Sequence, residues 1–203
     1  NYNPTLLNEA IPFYNNGVVA IKNKKYNLAI ENFKEVIVLD PYFTDAYDMI
    51  AVAYRRIDQF DTAIEYYKRS LKIFPKNRLA QNNLGMTYIQ DYQYIKAEEV
   101  YKNLLNLNGI SQESSESKIL LNAEPYYGLC RVYFYQKKYD LAIFNGNKAY
   151  YGWKQDLPLY ASDALYLVAL SYLNKGDETQ GVIVLSQSAT LGNKNAQNRL
   201  QDY

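Results

Sequence analysis

A period restricts this chain more than any single motif does. LAIENFKEVIVLDP at residues 28–41 returns as TAIEYYKRSLKIFP at 62–75 and as KAEEVYKNLLNLNG at 96–109, each copy 34 residues after the last. Alanine recurs at Ala29, Ala63 and Ala97, and an aromatic four places on at Phe33, Tyr67 and Tyr101. Small residues keep the same interval upstream, at Gly17, Ala51 and Gly85. A unit this short cannot bury its apolar surface alone, so the copies must stack on one another.

Spacing inside each copy is helical. Tyr26, Ala29, Ile30, Phe33, Val36 and Ile37 fall at three- and four-residue steps and share one face. Asp40-Pro41 ends that helix, because proline cannot continue it and restricts the residue before it. Upstream, Phe13, Gly17, Ala20 and Ile21 form another stripe, with Asn23-Lys24-Lys25 as the turn. The spacing thus predicts a helix, a tight turn and a second helix per unit. Small residues in both helices let the axes approach, and the aromatics fill the space towards the next unit.

After residue 109 the register slips. Ala142 follows Ala97 by 45 residues, so 11 have been inserted, around GISQESSESKILLNAEP. That polar stretch predicts a solvated loop or a lengthened helix end. Gly146 stands where the aromatic should be, which predicts a thin seam, and Tyr150-Tyr151-Gly152-Trp153 reads either as an aromatic contact patch or, the favoured reading, as the packing that plugs it. A second, smaller insert around GWKQDLPLYASD precedes a fifth unit with Ala169, Tyr172, Gly181 and Leu185.

The period and residue types resemble the tetratricopeptide repeat family. LGMTY at 84–88 carries that family's Leu-Gly-x-x-Tyr, and AIENF and AIEYY carry its Ala-x-x-x-aromatic. SATLGNKNAQNRL near the end is similar to the related Sel1-like repeats. The resemblance implies an all-α fold, a right-handed superhelix or solenoid of about five helix-turn-helix repeats. One domain over residues 1–203 is expected, with repeats near 10–43, 44–77, 78–110, 123–156 and 162–195 and a polar insert at 110–122.

Composition removes several function classes. Net charge is +1, from 22 basic and 21 acidic residues without a basic block, so nucleic acid is not expected as a partner. Without histidine and with only Cys130, a Ser-His-Asp or Cys-His mechanism, a histidine-held metal and an internal disulfide are excluded. Cys130 reads as a small buried residue. No apolar run reaches the roughly 18–20 residues that span a bilayer, so no integral membrane segment is expected. The chain begins at Asn1 without methionine, which fits a mature or trimmed form, cytoplasmic or exported.

Subtracting the repeated positions from the first helices leaves those expected to line a concave groove. They are Tyr14 and Val18, then Asp48, Val52 and Arg55, then Asn82, Met86 and Ile89, then Tyr127, Arg131 and Phe134, and finally Tyr166. Their mixed character suits an extended or helical peptide. Some members of the family hold a C-terminal carboxylate with a clamp of lysine, asparagine and arginine. At those places stand Tyr14, Val18, Met49, Leu79 and Asn83, and only Asn83 fits. The expectation is a non-catalytic scaffold or adaptor with a protein or peptide partner and no cofactor or metal. The alternative is an assembly subunit of an envelope or secretion complex that works through its outer, convex helices.

Overall fold

The computed structural model describes residues 6–109 and 115–203, and the side chains of 6–106 and 123–203. The described residues are helices joined by short turns, and contact density divides the chain into two compact units, Asn1–Tyr92 and Gln93–Tyr203. The first unit contains α1 (Ile11–Lys22), α2 (Tyr26–Leu39), α3 (Thr44–Arg56), α4 (Phe60–Ile73) and α5 (Arg78–Gln90). The second contains α6 (Tyr94–Gly109), α7 (Ser115–Tyr135), α8 (Tyr139–Trp153), α9 (Pro158–Lys175), α10 (Glu178–Thr190) and the short α11 (Lys194–Arg199). The boundary between units therefore falls inside the third repeat of the sequence.

The joint between paired helices is built the same way each time. In the first unit, Lys25 N–H reaches back to the Ala20 carbonyl at 2.9 Å, and Gln59 N–H to that of Tyr54 at 3.0 Å. In the second, Lys138 N–H meets the Tyr133 carbonyl at 2.8 Å and Asp177 N–H that of Tyr172 at 3.0 Å. Such a closure needs one left-handed residue just past the helix. Lys24, Asp58 and Lys137 take that conformation at φ of 57°, 58° and 60°, and Gly176 at 86°. Tyr92, at φ 59°, holds the equivalent place at the end of the first unit. The left-handed residues at 24, 58 and 92 keep the 34-residue period, and 137 lies 45 beyond, so the backbone carries the same insertion as the side-chain pattern.

In the first unit the core is the repeated stripe itself. Ala29, Ile30, Phe33, Val36, Phe43, Ala46, Ile50 and Ala53 form one buried cluster. Gly17 is a point of close approach between α1 and α2: a methyl there would lie 2.7 Å from the Phe33 ring. Removing that ring's surface from water contributes about 2–3 kcal/mol.

In the second unit the sizes are rearranged, and the thin seam expected at Gly146 is absent. A methyl on Gly146 would lie 2.4 Å from Val168 Cγ2 and 3.0 Å from Cys130 Sγ. Cys130 occupies the place that Gly17 holds in the first repeat, so volume lost at the aromatic position is made up by the cysteine and by α9. Burial pushes the Cys130 thiol up to about 12, with Arg131 opposing, so it is an inert packing group. Trp153, 6% exposed, packs with Ala123, Ala149, Ala161 and Ala164. It is buried in the second unit's core, but there is no thin seam at Gly146 for the aromatic run to plug, and Tyr151 stays 61% exposed. Of the polar insert, residues 110–114 lie outside the described residues, and 115–122 are the opening turns of α7, which continues through Pro125.

Candidate functional site

The residues expected to line a groove lie on the first helices of their pairs, at unequal depth. In the first unit Asp48, Asn82 and Ile89 are buried, while Tyr14, Val18, Val52, Arg55 and Met86 are half-buried. Tyr14 is a packing residue as much as a surface one. Its ring stands edge-on to Phe33 and Phe43, with centroids 5.6 Å away in each case. Its hydroxyl donates to Asp45 on α3, and burial together with that carboxylate raises its pKa well above the usual phenol range.

Asp48 is a joint between repeats. One carboxylate oxygen accepts from Asn77 Nδ2 at 2.8 Å, and Asn77 Oδ1 in turn accepts from Ala80 N–H at 3.1 Å, capping α5. Desolvation pushes the Asp48 carboxyl up to about 6, against the nearby Ser70 hydroxyl and the hydrogen bond from Asn77, which hold it down. Its other oxygen has no hydrogen-bond partner among the described residues. The second unit repeats the device. Asn193 caps α11 through Ala196 N–H at 2.9 Å and donates to Asp163 Oδ1 at 2.8 Å. Sequence reasoning missed both caps, although an asparagine three places before a helical alanine is a signal that periodicity arguments pass over.

Arg55 and Met86, both expected in the groove, do meet. The guanidinium Nη1 lies 3.5 Å from Met86 Sδ and 3.1 Å from Gln90 Oε1, while Nε has no hydrogen-bond partner among the described residues. Gln90 was not singled out from the sequence. In the second unit Tyr127 stands edge-on to Trp153 at 5.5 Å, and burial pushes its hydroxyl up to about 12. Phe134 lies against Tyr135 and Tyr139 at 5.7 and 6.1 Å, and Tyr166 packs on the Ala169, Leu185 and Ala196 cluster. Arg131 is half-buried, one turn from Tyr127, with no hydrogen bond or ion pair among the described residues. Among the described residues neither arginine therefore has a carboxylate partner. Among the described residues no group of histidine, cysteine or carboxylate side chains is placed to hold a metal. No described helix is long and apolar enough to cross a membrane.

The architecture is all-α, with helices paired as in tetratricopeptide-type folds. The family model for the tetratricopeptide repeat matches residues 44–77, which are α3 and α4 with their turns. Among curated proteins the chain is similar to "Uncharacterized protein ycf37" of Guillardia theta, 30% identical over 98 residues, or 46% of this chain and 55% of that one. It is also similar to the small glutamine-rich tetratricopeptide repeat-containing protein 2 of Mycosarcoma maydis, 34% identical over 86 residues, covering 42% and 24%. The matches thus span about half or less of these relatives' length. Among solved structures, MamA 41-end from Desulfovibrio magneticus RS-1 superimposes with a TM-score of 0.73 over 92% of this chain and 97% of that one, at 14% identity. That likeness concerns the fold alone.

Proposed function

We propose that the protein is a non-catalytic interaction scaffold that holds a peptide or protein segment on its first-helix faces. The carrying observation is the state of the two arginines there. Among the described residues Arg55 meets the neutral Gln90 and Met86 and lies beside the Tyr67 hydroxyl, and Arg131 has no hydrogen-bond or ionic partner. A half-desolvated guanidinium without a counter-charge is disposed to take a carboxylate or a row of backbone carbonyls. Val18, Val52, Met86 and Tyr166 supply apolar contact beside them, with Tyr14, Asp48, Asn82, Ile89, Tyr127 and Phe134 supporting the faces from beneath. The tetratricopeptide repeat at 44–77 supports the same reading, since such faces bind by contact and need no catalytic constellation. The Sel1-like reading of the C-terminal end belongs to this proposal too, supported by the tight α10–α11 joint at Gly192-Asn193.

The test is selection of peptides on the purified protein from a displayed random library, followed by affinity measurement against Arg55→Ala and Arg131→Ala. Each variant should weaken the selected peptides by roughly tenfold or more, as anchor arginines do, with helical content unchanged. Peptides that bind both variants as tightly as the parent would overturn the groove assignment.

A further inference from the structure

The second helices of the first three repeats share an outward pattern that the fourth abandons. Glu31, Glu65 and Glu99 are exposed at one register position, and Lys34, Lys68 and Lys102 at the next outward one. Carried across the insertion, those positions on α8 are Phe144 and Asn147. The neighbouring positions, which hold Glu35, Arg69 and Asn103 and then Val38, Lys72 and Asn106, become Lys148 and Tyr151. A solvated glutamate–lysine face has turned into a stripe of Leu141, Phe144, Lys148 and Tyr151, at helical steps of three and four. Phe144 is 56% exposed and Tyr151 61%.

The lysines on the stripe are set on rings rather than on acids. Lys148 Nζ lies 4.4 Å from the Phe144 centroid and 4.8 Å from that of Tyr126, and Lys154 Nζ lies 4.9 Å from that of Tyr151. Neither makes an ion pair among the described residues, and the nearby Asp140 is taken by Lys175. The α8 stripe is therefore apolar and aromatic, and the charges on it, Lys148 and Lys154, are positive.

We propose that this stripe is a docking surface for an acidic amphipathic helix of a partner protein. The eleven residues from Leu141 to Tyr151 run about 15 Å along α8, which matches three turns of an opposing helix. Apolar side chains of such a helix would cover Phe144 and Tyr151, and flanking carboxylates would meet Lys148 and Lys154. A second copy of the same stripe is disfavoured, because it would set lysine against lysine. Two lysines are also few for an anionic bilayer, each contributing only about 1 kcal/mol. The surface goes beyond the groove proposal and stands whether or not the groove binds.

The probe is a fluorescent synthetic helix with leucines at three- and four-residue spacing and flanking glutamates, titrated by anisotropy, beside its lysine-flanked twin. The glutamate peptide should bind and the lysine twin should not. Phe144→Glu, which restores the residue of the other repeats, and Lys148→Glu should each weaken binding roughly tenfold or more. Both sites are exposed, so thermal melting of the variants should match the parent. Arg131→Ala should leave this binding intact, which separates its failure from that of the groove. No binding at about 100 μM peptide would overturn the proposal. So would equal affinity for the lysine twin or for Phe144→Glu, or loss of the stripe's surface to self-association in sedimentation. Flotation with phosphatidylserine vesicles that disappears in Phe144→Glu, without peptide binding, would replace the partner helix with a membrane.

Discussion

In the first unit, close approach of paired helices rests on a glycine in the first helix and a large ring in the second, Gly17 under Phe33. In the second, the fourth pair places the glycine in the second helix at Gly146 and the bulk elsewhere, in Cys130 and Val168. Both arrangements leave no room for a methyl group. A repeat seam thus conserves summed volume more strictly than it conserves which residue supplies it. The first arrangement relies on contacts within one repeat, whereas the second draws on the next repeat's α9, so a change there reaches two helix pairs.

The largest expected effect tests the first arrangement. Phe33→Ala should cost about 3–5 kcal/mol, since the ring is fully buried and Gly17 cannot fill the cavity. Urea unfolding monitored by circular dichroism measures it, and a loss below 1 kcal/mol would mean that the Gly17–Phe33 contact does not hold the pair together. The second arrangement is tested by a cycle. Gly146→Ala should cost about 1–3 kcal/mol by overpacking, and Val168→Ala in the same chain should recover part of that loss. Strict additivity of the two changes would show that Val168 does not occupy the space beside Gly146.

The two aspartates that hold the capping asparagines sharpen the contrast further. Asp48 is buried and its pKa is raised from 3.8 to about 6, chiefly by desolvation. Folding therefore favours its protonated form. Its contribution is most favourable below the ordinary carboxylate range, is lost as pH rises from about 4 to about 6, and is constant above. Asp48→Asn keeps an acceptor for Asn77 Nδ2 and should flatten that slope, stabilising the protein by roughly 2 kcal/mol at pH 7. Asp163, raised in the same direction by burial but exposed to solvent, should change the slope less when replaced by asparagine. Equal slopes for the two variants would mean that burial does not set the difference.

What the sequence made legible follows the period. The helix pairs, their turns and the small and aromatic positions all repeat at 34 residues, and so could be read by superposing the copies. Gly146 was misjudged because its compensation, Cys130 and Val168, sits on two other helices at 16 and 22 residues' distance, where no period points. Tyr127 looked like a pure groove residue because Trp153, which covers its edge, lies at the start of an insert that has no counterpart in earlier repeats. Phe144 was readable once the 11-residue slip was applied to the outward positions as well as to the inward ones. The asparagine caps were not readable from periodicity, because Asn77 and Asn193 act through the aspartates of preceding helices about thirty residues away.

The smallest expected effect concerns the turns. Lys24 and Asp58 in the first unit and Lys137 in the second hold a left-handed backbone without being glycine, while Gly176 meets the same demand freely. A side chain in that region costs about 1 kcal/mol, partly offset because glycine gives the unfolded chain more freedom. Asp58→Gly and Lys137→Gly should therefore each stabilise by at most about 1 kcal/mol, raising the melting temperature by a few degrees. Gly176→Lys should lower stability by a similar amount, since nothing lies within 4 Å of a methyl placed there and only the backbone conformation is penalised. The three changes share one cause and should agree in size. If Lys137→Gly destabilises while Asp58→Gly does not, the second unit's turn draws stability from the Lys137 side chain, and the joints of the two units differ in kind.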